Sequence, residues 1–275
     1  ASDSFSGVAA TFHRIDGGAP RLGSSLTISS AGDHTIEYWS TDFAGNTESP
    51  RDMEFTIVEP PAVTIERVSG ASRYETAAEI TRYNFVDDSS NVVVLATGSG
   101  FADALSASGL AGSYDAPLLL TSRDALDPNA ASELQRLGAR TVIIVGGEAA
   151  VSSAVEADLV SRDYTVDRIA GTNRYDTAAK VARRIAAVQG ESFTGTAFVA
   201  RGDNFADALA AAPYAYAQRM PILLVAPTVL PAETADAAHD IGIDSIVIAG
   251  GEVAVSDSVA QRFRVESVRV SGATR

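Results

Sequence analysis

The sequence predicts α/β open parallel-sheet subdomains in tandem repeat, preceded by a small all-β sandwich. Three observations carry this. Through about residue 58, short alternating segments are broken by turn signals every 8–12 residues. From residue 62 onward, apolar runs of four to six residues alternate with helix-like stretches. Within that second region a twelve-residue block occurs twice, 101 positions apart.

In the first region Ala10 to Ile15 alternates and meets the turn signal Asp16-Gly17-Gly18. Leu26-Thr27-Ile28 reads as a second strand, His34 to Ser40 as a third and Met53 to Val58 as a fourth. Four short strands in a segment of this length suggest two facing layers. Glu59-Pro60-Pro61 reads as a stiff, extended break. Up to that break the segment holds nine acids and three arginines, which is −6 of the chain's net −14.

Beyond it, strands are expected at Val92–Ala96, Pro117–Leu120, Thr141–Val145, Ala197–Ala200, Pro221–Val225 and Ser245–Ala249. They are apolar on both faces, as strands of a parallel sheet covered by helices must be. Leu126-Asp127-Pro128 and Leu230-Pro231-Ala232-Glu233 read as helix starts, with Asp127 as N-cap and Pro128 at the first helical position.

The repeat fixes the organisation. Arg67-Val68-Ser69-Gly70-Ala71-Ser72-Arg73-Tyr74-Glu75-Thr76-Ala77-Ala78 recurs from Arg168 to Ala179, and Arg269-Val270-Ser271-Gly272-Ala273-Thr274-Arg275 begins it again. Phe101 to Leu105 recurs at Phe205 to Leu209, Pro117 to Leu120 at Pro221 to Leu224, and Gly146-Gly147-Glu148 at Gly250-Gly251-Glu252. These later blocks are displaced by 104, and their common order excludes coincidence. The expected organisation is residues 1–59, a first repeat over 64–166, a second over 167–268 and the start of a third over 269–275. A natural protein that continues past Arg275 is the expectation this carries.

Composition excludes several function classes. With 35 acidic against 21 basic side chains, the chain lacks the cation excess that nucleic-acid binding and docking on anionic lipid require. The absence of cysteine removes disulfides, thiolate metal sites and cysteine nucleophiles. His13, His34 and His239 have no ligand spacing, so no metal site is expected. The longest apolar runs have strand length, far short of the roughly 18 residues of a membrane helix.

The repeated blocks supply the candidate chemistry. In the first, Ser72 with Glu75 and Asn173 with Asp176 have the spacing of a helix N-cap and its third residue. Arg73 and Arg174 then fall in the first helical turn, where a cation is disfavoured unless an anion is present. Each arginine either braces a contact between subdomains or, with the helix start, holds an anionic ligand group. Tyr74 and Tyr175 are core packing or ligand platforms. The second block, Ala96 to Asp103, has the outline of a dinucleotide fingerprint, but Asp103 stands where its third glycine would be. In the second copy, Arg201-Gly202-Asp203, an acid stands where a pyrophosphate would sit, so no nucleotide cofactor is expected. Asp103 and Asp207 either cap helices or meet a polar ligand at the carboxyl end of a sheet, as Gly98 could. Gly146, Gly147, Gly250 and Gly251 permit close packing or a close ligand. Nothing reads as a catalytic set, and duplication of a whole unit suits multivalent binding.

Together the G-x-x-R-Y-x-T-A, F-A-D-A-L, P-[LI]-L-L and G-G-E blocks resemble the cell wall-binding repeat of type 2, over roughly residues 64–275. The resemblance implies a surface or secreted protein of a Gram-positive bacterium and three open α/β subdomains packed around a pseudo-threefold axis. It implies non-covalent anchoring, outside the cell, to an anionic wall polysaccharide or teichoic-type polymer, with no cofactor and no catalysis. A third repeat would then be a partner of these two. The alternatives are a cell-wall-modifying enzyme and a self-assembling surface-array protein. Gly7 to Ala10, Ile15 to Gly18, Gly32 to Tyr38 and Asp42 to Asn46 are similar to bacterial Ig-like surface modules, which implies an Ig-like β-sandwich for residues 1–59. The repeats alone carry −8, so an anionic polymer would need local positive sites such as Arg73, Arg174 and Arg201. Screening over about 8 Å lets such sites prevail over distant repulsion.

Overall fold

The computed structural model describes residues 7–59, 61 and 63–272. Pro60 of the expected break and Ala273, Thr274 and Arg275 of the third block lie outside the described residues. The chain divides into two compact units, residues 1–66 and 67–275.

The first unit is a single antiparallel sheet of order β2-β1-β3-β4, with β1 at Val8–Ile15, β2 at Arg21–Leu22, β3 at Gly32–Asp42 and β4 at Arg51–Ile57. The all-β expectation holds, whereas the facing second layer of a sandwich is absent among the described residues. Leu26-Thr27-Ile28 forms no strand; the two-residue β2 pairs with β1 in its place. With one layer, no hydrophobic side chain of the described residues reaches full burial in this unit; His13, His34 and Ser40 do. Polar contacts therefore organise it. His34 places Nδ1 2.8 Å from the Asp16 carboxylate and Nε2 2.8 Å from the Ser30 carbonyl. Both acceptors call for an N–H, so the imidazolium is the form that satisfies both. Arg14 grips Glu37 in a two-pronged ion pair and lies over Trp39, which stacks on Phe12.

The second unit contains two parallel sheets. The first has order β6-β5-β7-β8, from β5 (Val92–Thr97), β6 (Leu118–Thr121), β7 (Thr141–Val145) and β8 (Thr165–Ile169). The second has order β10-β9-β11-β12, from β9 (Thr196–Arg201), β10 (Ile222–Val225), β11 (Ser245–Ala249) and β12 (Glu266–Val270). The helices of the first copy are α1 (Arg73–Asn84), α2 (Ala102–Ser106), α3 (Ser108–Ser113), α4 (Pro128–Arg136) and α5 (Ser153–Ser161). Those of the second are α6 (Arg174–Gln189), α7 (Ala206–Gln218), α8 (Ala232–Asp240) and α9 (Asp257–Arg262). α4 starts as expected, with Asp127 accepting from the Asn129 N–H and proline at the first position.

The sequence period is offset from the sheets. Arg168-Ile169 opens the second block but ends β8, and Arg269-Val270 opens the third but ends β12; each strand closes the sheet of the preceding copy. Arg67-Val68, the same residues in the first copy, form no strand.

The two copies share their cores. Val93 and Leu95 of β5 pack with Leu134, Val155 and Leu159 on one face of the first sheet. On the other face Val94 and Ile143 pack with Leu110 and also with Val181 and Ile185 of α6. Leu105 of the first copy reciprocally joins Phe198, Ala208 and Ile222 of the second. Complete burial of one such side chain contributes about 1.5–3 kcal/mol, so the shared faces bind the copies into one body. Close approach is set by glycine. A Cβ on Gly109 would lie 1.9 Å from the Met220 carbonyl oxygen, and one on Gly112 2.0 Å from that of Tyr216. The positions matching these glycines in the second copy are Pro213 and Tyr216.

Two outcomes are expected. Gly109→Ala forces a backbone clash between the copies and should cost about 2 kcal/mol or more, read as a lower denaturation midpoint of the second unit by circular dichroism. For the first unit, the Asp16 carboxylate and Ser30 carbonyl raise the His34 pKa above its usual 6.5, while the Thr35 N–H and His34 lower that of Asp16 below 3.8. The His34 contribution is complete below about pH 6.5 and disappears as pH rises through its raised folded value. The Asp16 contribution is lost as pH falls through its lowered one. Fluorescence of Trp39, the sole tryptophan, should show stability declining on both limbs, and His34→Gln should flatten the alkaline one.

Candidate functional site

In each sheet the chain leaves neighbouring strands toward opposite faces. After β5 it enters α2 and then α3, and α3 covers the Val94 face; after β7 it enters α5, which covers the Val93 and Leu95 face. The carboxyl ends of β5 and β7, and likewise of β9 and β11, therefore border a crevice of the kind that binds ligands in open α/β sheets. The repeated blocks converge on these two places.

The helix starts come first. Ser72 Oγ accepts from the Glu75 N–H at 3.2 Å, and Glu75 Oε2 reaches back to the Ala71 N–H. In the second copy Asn173 Oδ1 accepts from the Tyr175 and Asp176 N–H groups, both at 2.9 Å, and Asp176 reaches the Thr172 N–H at 2.9 Å. The spacing expected of a cap is realised, with the carboxylate meeting the residue before the cap. These side chains occupy donors that an anion at the helix start would otherwise use.

The arginines behind the caps are more available. Arg73 Nη1 donates to the Gly98 carbonyl at 2.6 Å, and Arg174 Nη1 to the Gly202 carbonyl at 2.7 Å. Both residues are exposed. Neither forms an ion pair within 4 Å among the described residues, so the remaining guanidinium N–H groups stay open. Tyr74 and Tyr175 lie against the same loops: a Cβ on Gly98 would come 2.3 Å from the Tyr74 ring, and one on Gly202 2.8 Å from the Tyr175 ring. Glycine is required there so that arginine and tyrosine can seat on the loop together.

Asp103 and Asp207 stand in the first turns of α2 and α7, whose N-caps are Phe101 and Phe205 with no side-chain capping bond. Instead their carboxylates back onto Gly146 and Gly250, where a Cβ would come within 2.6 Å of each; these glycines have φ of +119° and +104°. Side chains at both positions are excluded by space and by backbone conformation. Burial raises the Asp103 pKa, and the nearby Arg174 guanidinium partly opposes this. Gly147 and Gly251 face more open surroundings; a Cβ on Gly251 would meet nothing within 4 Å.

Arg174 thus reaches across from the second copy to the first, lying 5.9 Å from the Phe101 ring centre and near Asp103. Phe101 itself contacts Phe205, their ring centres 5.8 Å apart. Arg201, by contrast, is clamped by Asp203 of its own loop, which lowers the Asp203 pKa. The matching residues in the first copy are Thr97 and Ser99. Sequence reasoning missed Phe101 and the carbonyl of Gly202 as arginine partners; only their places inside repeated blocks signalled them. No group of three or more metal-ligating side chains occurs among the described residues.

Comparison with known proteins adds identity to this geometry. Cell wall binding domain 2 (CWB2) matches at residues 67–156 and 168–260. The N-acetylmuramoyl-L-alanine amidase LytC of Bacillus subtilis (strain 168) is 38% identical over 212 residues, which is 77% of this chain and 41% of that protein. The amidase enhancer of the same organism is 32% identical over 255 residues, 90% of this chain and 34% of that protein. The chain thus spans less than half the length of these curated relatives. Among solved structures, Cwp6 and Cwp8 from Clostridium difficile superpose with TM-scores of 0.67 and 0.68 at 23% and 22% identity. The alignments cover 90% and 96% of this chain and 44% and 47% of those chains, and establish a shared fold. With both copies matched, the chain belongs to the cell wall binding domain 2 family, and its role is attachment to the cell wall.

Proposed function

We propose that the chain holds a secreted or surface protein on the wall by non-covalent binding to an anionic wall polymer, of the teichoic or polysaccharide kind, without making or breaking a bond. One observation carries the reading. At the carboxyl ends of two matched parallel sheets, Arg73 and Arg174 each donate one N–H to a loop carbonyl, and both residues stay exposed. A planar donor held this way is preorganised for a phosphate or carboxylate. Duplication then supplies a second site on one rigid body, and a polymer that engages both gains by effective concentration. The capping side chains occupy the helix starts, so the guanidiniums and not the backbone dipoles supply the grip. The two Bacillus relatives are an amidase and an amidase enhancer, each far longer than the aligned part; that part fits the attachment role.

A further repeat is the second partner we propose. Phe205 at the N-cap of α7, with Leu209 and Tyr214 on the helix, are 52%, 53% and 57% exposed, whereas their counterparts Phe101, Leu105 and Leu110 are half-buried or buried against the second copy. On α1, Ile80 is 49% exposed, while the matching Val181 is buried in the shared core. The surfaces left open are therefore the ones each copy uses to hold the other.

Arg73→Ala with Arg174→Ala should lower retention on purified walls by at least on the order of tenfold, since a charge-assisted hydrogen bond is lost at each of two sites, with thermal unfolding shifted by a few degrees at most. A depressed unfolding midpoint with full retention by the folded protein would instead make the arginines struts between loops. Retention should also fall on walls stripped of anionic polymer. Leu209→Lys should leave stability within about 0.5 kcal/mol and reduce any concentration-dependent association seen by light scattering.

A further inference from the structure

Resting on the wall-attachment reading, we propose that the second copy carries an additional polyanion subsite, a basic cleft between β8 and α6 that the first copy does not have. The cleft encloses about 470 Å³, and its charged lining is Arg168, Lys180, Arg183 and Arg184, with no carboxylate. Lys180 is the only lysine in the chain. On a protein of net charge −14, these four cations line the cleft while the carboxylates that pair with them, Glu156, Asp176, Asp240 and Asp167, stand around it.

The stripe follows from how α6 is buried. Ala178, Ala179, Val181, Ala182 and Ile185 all enter cores. Positions 180, 183, 184 and 187 repeat at i, i+3, i+4, i+7 and form the outward strip. Outward residues need only be polar, yet three of these four are cationic. The scaffold does not require it: the corresponding positions of α1 and its C-terminal extension are Glu79, Arg82, Tyr83 and Val86. The same fold thus tolerates an acid and a tyrosine where the second copy has Lys180 and Arg184.

Each cation has a protein partner. Arg168 donates to Glu156 at 2.8 Å and to the Gly146 and Val151 carbonyls at 2.9 Å, which fixes it at the cleft floor. Lys180 donates to the Ala170 carbonyl at 2.8 Å and lies 3.3 Å from Asp176. Arg183 binds Asp240 at 2.7 Å, and Arg184 binds Asp167. The carboxylates of these last two pairs are 52% and 38% exposed, so both pairs are weak and solvent-screened. A single carboxylate in solution would gain little by displacing them. A chain carrying negative charges at regular intervals would gain at several cations together, which selects a linear polyanion, phosphodiester or uronate, over a small anion.

The sole lysine makes the test direct. Acetylation of the whole chain with an amine-reactive ester can modify Lys180 and the N-terminal amine. Peptide mass spectrometry follows both, with poly(glycerol phosphate) in one arm and polyglucuronate in the other. Lys180 should be acetylated several-fold more slowly with the polymer whose charged group fits, while the N-terminal amine is unaffected. The arm that protects identifies the charged group. The variant Lys180→Glu with Arg184→Tyr installs the first copy's residues and should bind the protecting polymer at least on the order of tenfold more weakly, since two charge-assisted contacts are lost, with thermal unfolding shifted by a few degrees at most. If neither polymer slows Lys180, or the variant binds as tightly as the parent chain, the cleft is overturned. Retention of that same chain on walls leaves the attachment reading standing, whereas absence of wall retention by the unaltered chain overturns that reading first.

Discussion

The arrangement depends on one helix being claimed by two sheets. α6 sends Val181 and Ile185 into the core of the first copy, Ala179 and Ala182 into that of the second, and Ala178 into the core beside α7. Small residues face the second sheet and larger ones reach the first, so the helix seats close to one layer and still fills the gap to the other. Neither copy could release it without exposing its own apolar face, so they form one body. Arg174 stands at the start of this helix, beside Phe101 and Asp103 of the other copy, so the candidate binding loops inherit their positions from the same packing.

The α/β half of the architecture was legible because its strands are buried on both faces and announce themselves as short apolar runs. The expected strand at Thr141–Val145 is β7 to the residue, and Ser245–Ala249 is β11. β8 and β12 lie at sheet edges and carry Thr-Val-Asp-Arg-Ile and Glu-Ser-Val-Arg-Val, too polar to stand out. Their last two residues, Arg168-Ile169 and Arg269-Val270, stand out only as the start of a repeated block. The sheet they close could not be read, because it belongs to the preceding copy. The first unit misled for the opposite reason. Alternation fixes which residues share a face, but it does not say whether a second layer covers that face. There, His13 and His34 are buried, Arg14 pairs with Glu37, and no second layer covers the sheet among the described residues.

Repetition located the candidate site better than any single motif. It drew attention to Arg73, Arg174, Asp103, Asp207 and the paired glycines before any geometry was known, and the same contacts recur around them in both copies. What it could not give was which blocks meet in space, within a copy or across the two. The Gly98 and Gly202 carbonyls, the clash that excludes a side chain at Gly146, and the ring of Phe101 beneath Arg174 arise from loops 25 to 73 positions apart. Repeated spacing within a block is a local signal, and these contacts are not local.

The differences between the copies complete the argument. Two identical units would present identical faces, and a polymer would meet the same surface twice. Here Arg201 and Asp203 replace Thr97 and Ser99 at one loop, and Lys180 and Arg184 replace Glu79 and Tyr83 on the matching helix. Gly109 and Gly112 face a copy whose own equivalents are Pro213 and Tyr216. The glycine substitutions follow from packing, since only one side of a tight crossing can be bulky. The charge substitutions do not, because they lie on surfaces where either residue set fits the same backbone. The second copy holds more cations than the first on a chain that is strongly acidic. On the proposed reading, contact with the polymer is what the exposed cations of α6 serve, at positions that the internal repeat, taken alone, passes over.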